Sequence, residues 1–386
     1  MPWQETDVRS ERIRLVVEAL KGEESMAALS RRFGVSRKTA HKWAQRARQV
    51  ESLALLEELS RRPHESPGAT KEDVVRQVVA LRRKHGWGGR KLQGMLAKEG
   101  IQLSRSTVDR ILSREGLIGE SERHRPAVRR FERSQSNELL QMDFKGEFRP
   151  PRGGVVYPLS VLDDHSRYVL VLAPLRTQEG AKVQPVLAGA FEEYGVPEAM
   201  LVDHGTPWWS STNGHGLTRL SVFLIQQGVQ LVYSGIGHPQ TQGKVERMHR
   251  TLKQWFAHHG LPSSWSGFET ALTEFRREYN EVRPHEALGM ATPATRYQRS
   301  ARQYQPQPPE WEYPPGSHVA RLRSNGCLYL DGRYHFVCHA LEGEQVRYDL
   351  FGQRVLVSYR HMLIRELDRA TGTSRAMVRP YGPTGH

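Results

Sequence analysis

The stretch "ELLQMDFKGEFRPPRGGVVYPLSVLDDHSRYVLVLAPL", Glu138–Leu175, decides how the chain folds. It holds three β-type runs before any helical periodicity begins. "ELLQMDF" is a short strand, and "GVVYPLSVLDDHSRYVLVLAPL" is two strands joined by a turn at Asp163–Ser166. Helix and strand then alternate. "TQEGAKVQPVLAGAFEEYG" predicts a helix ending near Gly195, "EAMLVDHG" a buried strand, "LTRLSVFLIQQG" a helix and "VQLVYSG" a strand. A helix beginning in "HPQTQGKVERMHRTLKQWF", His238–Phe256, and another over "FETALTEFRREYN" close the series. The order βββαβαβα predicts an α/β domain over residues 137–300, a mixed sheet with helices packed on it.

The N-terminal third has a different texture. "SMAALSRRFGVSRKTAHKWAQRAR" gives helix, turn at Gly34, Ser36 as N-cap and a second helix, within a first helical domain at residues 1–50. Leu29, Phe33, Val35, Ala40 and Trp43 face inward in this helix-turn-helix pattern. Arg37, Lys38, His41 and Lys42 are left on the outer face, which such motifs lay in the major groove. A small helical bundle with a basic surface is the plainer alternative. Residues 70–120 repeat the device as a second helix-turn-helix or winged-helix domain. It ends in the Ser-capped basic helix "SRSTVDRIL", with Arg105 and Arg110 outward. A basic linker, 121–136, comes next, with cations able to track phosphates.

After the Pro-rich "QYQPQPPEWEYPPG", residues 316–370 alternate short β runs with "NG", "DG", "EG" and "FG" turns. They predict a small all-β barrel of about five strands, SH3-like in size, with a disordered tail from Thr371.

Charge agrees with a polyanionic partner. The net charge is +14, and residues 1–135 carry 29 Lys/Arg against 18 Asp/Glu, or +11 of it. Two cysteines, Cys327 and Cys338, exclude a disulfide framework and suit a reducing cytoplasm. No apolar run is long enough to span a membrane, and "MPWQETDVRSER" lacks the apolar core of a signal peptide. A cytoplasmic, nucleoid-associated protein is expected. No GxxxxGK[ST] phosphate loop occurs, so no ATP dependence is expected.

Projected as a helix, residues 245–256 place Val245, Met248, Leu252, Trp255 and Phe256 in one arc. Glu246, His249, Arg250 and Lys253 fall in an adjacent arc at the edge of the buried face. An exposed Glu246–Arg250 pair is the commonplace reading of that helix alone. Two other acids add to it. Asp143 lies in the first strand between Met142 and Phe144, and Asp203 ends the strand "MLVDHG", where sheet sites form. Three carboxylates without His or Cys suit Mg²⁺ or Mn²⁺. Two such ions per site can clamp a scissile phosphate for in-line displacement. Lys244, His249, Arg250 and Lys253 would then hold the flanking DNA backbone.

Together "QMDFKG", "VLDDHSRY", "LVDHGTPW", "HPQTQGKVERMHRTLK" and "YNEVRPHEALGMATP" resemble DDE-type transposases of bacterial insertion sequences, nearest insertion sequence family 481. These transposases share the ribonuclease-H-like core of the retroviral-integrase superfamily. The resemblance implies Asp143, Asp203 and Glu246 as the catalytic and metal-binding acids, and double-stranded DNA, both element ends and target, as partner. It also implies a homo-oligomer, at least a dimer, on that DNA. A ribonuclease-H-like nuclease or resolvase, and a DNA-binding regulator without chemistry, are the alternatives. The chain departs from the pattern in four places. The Asp203–Glu246 gap is longer than usual, His204 stands where Asn is usual, Leu140 where Trp is, and Gly237 where Tyr is frequent.

Lesser candidates remain open. Trp208 and Trp209 either stack on an unpaired base or pack in the core. Asp163 and Asp164 read as turn residues. Cys327, His335, Cys338 and His339 suggest zinc loosely, with packing and surface the plainer account.

Overall fold

The computed structural model describes residues 8–49, 70–118, 132–152, 154–210, 216–234 and 242–377. Most of the predicted linker, Gly237 with most of the "HPQTQG" segment, and the residues after 377 lie outside that set. The chain forms two compact units, Met1–Thr70 and Lys71–His386.

In the first unit, α1 (Val8–Lys21), α2 (Met26–Arg32) and α3 (Arg37–Ala47) enclose Leu15, Val16, Ala40, Trp43 and Ala47. Leu29 is fully buried, while Phe33 and Val35 pack at the rim. Ser25 and Ser36 begin α2 and α3, each hydroxyl accepting a backbone N–H from three residues on. Such a cap contributes about 1 kcal/mol by satisfying one orphan donor. Arg37, Lys38, His41 and Lys42 are all exposed, as the helical spacing requires.

The second unit starts with α4 (Glu72–His85), α5 (Gly89–Lys98) and α6 (Arg105–Arg114). Val75, Val78, Leu92, Leu96, Val108 and Ile111 form their core, and Ser104 caps α6. Arg105 and Arg110 are exposed. This module is fastened to the α/β domain by side chains of α4. His85 Nδ1 meets Glu278 Oε1 at 2.9 Å, and His258 Nε2 donates to the Arg83 carbonyl at 2.8 Å.

The α/β domain is built on a five-stranded sheet of β1 (Leu140–Phe144), β2 (Tyr157–Asp163), β3 (Val169–Leu175), β4 (Ala199–Val202) and the later strand Gln230–Tyr233. A two-residue hairpin, β5 (Trp209–Ser210) with β6 (Gly216–Leu217), precedes that later strand, which is therefore β7. The sheet order is β3-β2-β1-β4-β7. β1 is antiparallel to β2 and parallel to β4, and β4 is parallel to β7. Three local strands joined by hairpins, then two reached by helical crossovers, produce that mixture. α7 (Gly180–Tyr194) and α8 (Arg219–Gln226) cover one face with Leu140, Met142 and Met200. α9 (Gly243–His259) and α10 (Trp265–Arg277) cover the other, where Val245, Met248, Leu252, Phe268 and Phe275 meet Leu162, Val169 and Leu172. Gly195 ends α7 at φ 80°, and a Cβ there would stand 2.5 Å from the Ser300 carbonyl oxygen, so only glycine fits.

The C-terminal strands are β8 (His318–Arg321), β9 (Cys327–Leu330), β10 (Arg333–Phe336), β11 (Gln345–Phe351), β12 (Arg354–Tyr359), β13 (Met362–Asp368) and β14 (Ser374–Ala376). Five form an antiparallel sheet, β14-β13-β12-β11-β8, and β9–β10 make a separate hairpin. The tail expected to be disordered from Thr371 instead supplies β14. The Ser374 hydroxyl accepts from Arg365 Nε at 2.7 Å and donates to the Phe336 carbonyl at 2.6 Å. A guanidinium as buried as that of Arg365 requires such acceptors, and the strand provides one. The sheet rests on α8 through Gln226, whose amide donates to Tyr359 Oη at 3.1 Å and whose carbonyl accepts from Arg360 at 3.0 Å. No helix among the described residues is long and apolar enough to cross a membrane.

α10 runs into a π-helical turn, Glu278–Val282, which aims Asn280 at β3. The buried Asn280 amide accepts from Val169 N at 2.9 Å and donates to Val169 O at 3.0 Å, closing both backbone groups where β3 begins. Asn280→Ala leaves both unsatisfied, and a loss of about 3 kcal/mol is expected. Urea unfolding of the full chain measures it, and a loss under about 0.5 kcal/mol would show that the brace is dispensable.

Candidate active site

β1 carries Asp143 on the central strand, one residue from the fully buried Met142. β4 ends at Val202, which puts Asp203 just past the neighbouring strand. Its carboxylate Oδ1 accepts from Gly205 N at 2.9 Å. A Cβ at Gly205 would lie 3.1 Å from both Asp203 oxygens, so the glycine allows the carboxylate to fold over its own turn. Glu246 projects from the first turn of α9 and is exposed.

Two of the acids act on the third. Burial pushes the Asp143 carboxyl up to about 7, and the negative charges of Asp203 and then Glu246 push in the same direction. A backbone hydrogen bond at Phe144 and the Lys145 ammonium oppose that rise. Among the described residues no three His, Cys, Asp or Glu side chains, Asp143, Asp203 and Glu246 included, converge closely enough to enclose a metal ion. Cys327, His335, Cys338 and His339 therefore do not meet as a zinc site. Cys327 and Cys338 are buried and free, and Cys338 Sγ donates to the Leu217 carbonyl at 3.5 Å.

The positions expected to hold DNA phosphates divide. Arg250 and Lys253 are exposed on α9, on the side that carries Glu246. Lys244 and His249 are placed otherwise. The Lys244 ammonium lies 2.5 Å from Asp164 Oδ2 and donates to the Asp164 carbonyl at 3.0 Å. Asp164 is fully buried, so this cation is committed inside the protein. Burial pushes Lys244 down to about 8, while Asp164 holds it up. His249 is buried, with Nε2 2.8 Å from the hydroxyl of Ser160, which stands opposite Asp143 in the β1–β2 register. Burial, then the Lys145 charge, push its imidazole down to about 3, so the ring is neutral. Nδ1 lies 3.7 Å from Asp143 Oδ2, too far for a hydrogen bond. His249 thus packs beside the Asp143 carboxylate.

Asp163 and Asp164 do more than make a turn. Asp163 accepts from Asn137 N, Ser166 N and Ser166 Oγ at 2.8, 2.7 and 2.6 Å. Asp164 accepts from Gln141 Nε2 at 2.9 Å, and Gln141 Oε1 accepts from Val245 N at 3.1 Å. The β2–β3 turn, strand β1 and the start of α9 are so linked by Asp164, Gln141 and Lys244. Gln141 carried a signal that sequence reasoning passed over: a polar side chain in an otherwise buried run. Trp208 and Trp209 are core residues, packed on Phe144 and Tyr233 at ring separations of 5.7 and 5.1 Å. His204 lies against Trp209 and Tyr233.

The comparisons with known proteins agree with this architecture. Two models of an integrase core domain match residues 133–239 and 227–293. A helix-turn-helix domain model matches residues 11–64, and a homeodomain-like model residues 39–112. An uncharacterized 31.7 kDa protein of insertion element IS407 from Burkholderia multivorans is 23% identical over 227 residues, covering 57% of this chain and 79% of that protein. The Gag-Pol polyprotein of baboon endogenous virus is 24% identical over 208 residues, covering 52% of this chain and 11% of the polyprotein. Among solved structures, the catalytic core domain of HTLV-2 integrase in complex with magnesium covers 43% of this chain and 99% of its own, at 14% identity and TM-score 0.34. A simian T-cell lymphotropic virus intasome chain covers 79% of this chain and 100% of its own, at 13% identity and TM-score 0.38. Residues 133–293 thus match integrase core domain models, and residues 11–112 match helix-turn-helix and homeodomain-like ones.

Two outcomes test this geometry. Lys244→Met strands Asp164 as a buried, unpaired carboxylate. It is expected to lose about 3 kcal/mol of stability, with DNA affinity unchanged once matched for folded protein. A stable variant with weak DNA binding would return Lys244 to the phosphate-binding set. Asp143 gives a pH signature. Its folded carboxyl is raised to about 7 from 3.8. The unfolded chain therefore ionises first, and wild-type stability falls as pH rises between those values. Asp143→Asn lacks that loss. In chelated buffer its urea midpoint should pull ahead of wild type from about pH 4 to 7 and then run parallel. Parallel curves throughout would show that Asp143 is not destabilised by its neighbours.

Proposed function

We propose that this chain, with its integrase core and helix-turn-helix domains, is a DNA transposase. It binds the inverted-repeat ends of its element, cuts them and joins the 3′ ends to target DNA. The observation that supports the reading is the placement of Asp143 on a central strand, Asp203 past the end of its parallel neighbour and Glu246 on a helix, with the charges of Asp203 and Glu246 both raising the Asp143 carboxyl. As the structure stands they do not enclose a metal ion, and carboxylate oxygens of this kind are the donors that a hard divalent cation would draw together. Mg²⁺ or Mn²⁺, two ions per site, would supply activation of the attacking oxygen and charge relief at the leaving oxygen.

The chain's own residues do the rest. Asp143, held on a strand hydrogen-bonded on both sides, gives the site its rigid reference point. Gly205 N orients Asp203, and the Asp164–Gln141–Lys244 link sets where Glu246 stands relative to β1. Arg250 and Lys253 come after Glu246 along exposed α9, where a DNA backbone entering the site would meet them. The exposed cations of α3 and of α6 supply a sequence-reading surface for the ends. The insertion-element relative and the retroviral polyproteins support this reading, and assembly of at least two copies on the DNA accords with it.

Strand transfer on oligonucleotides bearing the element ends tests it. Activity should require Mg²⁺ or Mn²⁺, need no nucleotide and vanish in excess EDTA. Glu246→Gln keeps the side-chain shape and loses the charge, so joining should fall to background while gel-shift affinity holds or tightens. Asp143→Asn and Asp203→Asn should behave alike and add no further loss to it. If Glu246→Gln retains most of its strand transfer, α9 carries an ordinary surface acid and the proposal is wrong.

A further inference from the structure

Further along α9, the Glu246 helix meets the second helix-turn-helix module across a cleft of about 440 Å³. The α4–α5 turn forms one wall, and α9 with the turn after α10 forms the other. Arg83, Lys91 and Arg283 are among its lining cations, and Glu278 is the carboxylate that lines it. Both Glu278 oxygens are already taken, one by His85 Nδ1 and one by Trp255 Nε1, each at 2.9 Å. Lys91 has Glu286 at 3.6 Å but shares it with Arg90 at 3.2 Å. Arg283 Nε is sealed from water and has no hydrogen-bond partner among the described residues. A guanidinium N–H in that state is destabilising until an acceptor arrives. Burial, then the charge of Arg283, push Lys91 down to about 8, and Arg247 adds to the crowding of both. Arg247 lies one helical turn before Thr251, which lines the cleft.

We propose that this cleft is a phosphate site. It takes one backbone phosphate of the DNA among Arg283, Lys91 and Arg83, and it ties the second helix-turn-helix to the strand being cut. The proposal rests on the DNA-transposase reading. A phosphodiester brings the acceptor oxygens that Arg283 lacks and the negative charge that the cluster lacks, with no bond made or broken. The volume lies within the range of small-ligand sites, with room for the phosphate and its sugar. The second helix-turn-helix module forms one wall of the cleft, which favours DNA over an acidic peptide presenting similar oxygens.

Thr251, on α9, also lines the cleft and is half-buried. Thr251→Glu tethers a carboxylate among these cations. Two readouts on the full chain test it: thermal unfolding without DNA, and affinity for a duplex of about 40 base pairs across a salt series. The expected result is an unchanged or raised midpoint together with weaker binding. The slope of log affinity against log salt should become shallower by about 0.9, the loss of one phosphate contact. Lys91→Gln, which removes a cation without adding an acid, should give the same slope change. Wild-type slope in both folded variants, with strand transfer intact in the wild type, would overturn the phosphate site and leave the transposase reading standing. Slopes kept in both variants while an acidic peptide is bound by wild type and refused by Thr251→Glu would overturn it in favour of a protein partner. A wild-type chain that binds no duplex would overturn both readings.

Discussion

The contact on which the site depends is the buried ion pair between Asp164 and Lys244. Asp164 lies in the turn between two antiparallel strands, and Lys244 lies in the first turn of a helix eighty residues later in the chain. Neither charge is tolerable alone at that depth. Their pairing, with Gln141 bridging strand and helix, fixes the start of α9 against β1. Glu246 comes two positions after Lys244, and Asp143 two positions after Gln141. The same two-residue offset on strand and helix thus turns a structural fastening into a relation between two acids. Gln141 joins strand and helix beside that pair, accepting from the Val245 backbone and donating to the Asp164 carboxylate.

A second fastening couples recognition to chemistry. His85 closes α4, Glu278 opens the π-helical turn, and Trp255 projects from α9, and one carboxylate binds both other side chains. The second helix-turn-helix therefore belongs mechanically to the core, while the first forms a compact unit of its own. One module is a compact unit by itself, and the other is packed against the α/β domain that bears the acids.

Much of this was legible in the sequence because its signals are local. Alternation in β1 to β3, the serine caps of α2, α3 and α6, and the 3.6-residue stripe of α9 each arise from neighbours a few positions apart. Each acid stands where its local pattern placed it, Asp143 on β1, Asp203 past β4 and Glu246 on α9. What could not be read was which cations face inward. Lys244, Arg250 and Lys253 look alike along the helix, and only the distant Asp164 removes the first from the surface. His249 was hidden for the same reason, since its partner Ser160 is on another strand. The tail beyond Thr371 offered polar composition and no periodicity. Its strand exists because the buried Arg365 needs an acceptor, a need arising from packing that the tail's own residues do not announce.

The C-terminal sheet shares one continuous apolar cluster with the sheet that carries Asp143, running from Leu140 and Met200 through α8 to Val346, Val355 and Leu367. Chains leave the ribosome N-terminus first, and domains usually close as they emerge. Here the sheet of β1 to β4 is made early, yet one flank of α8 stays bare until β11 to β13 have been synthesised. A chain assembled in this order has its acids in sequence long before it has a finished framework around them. A chain cut short before β11 would keep the helix-turn-helix modules and all three carboxylates and lose the surface that seals the core.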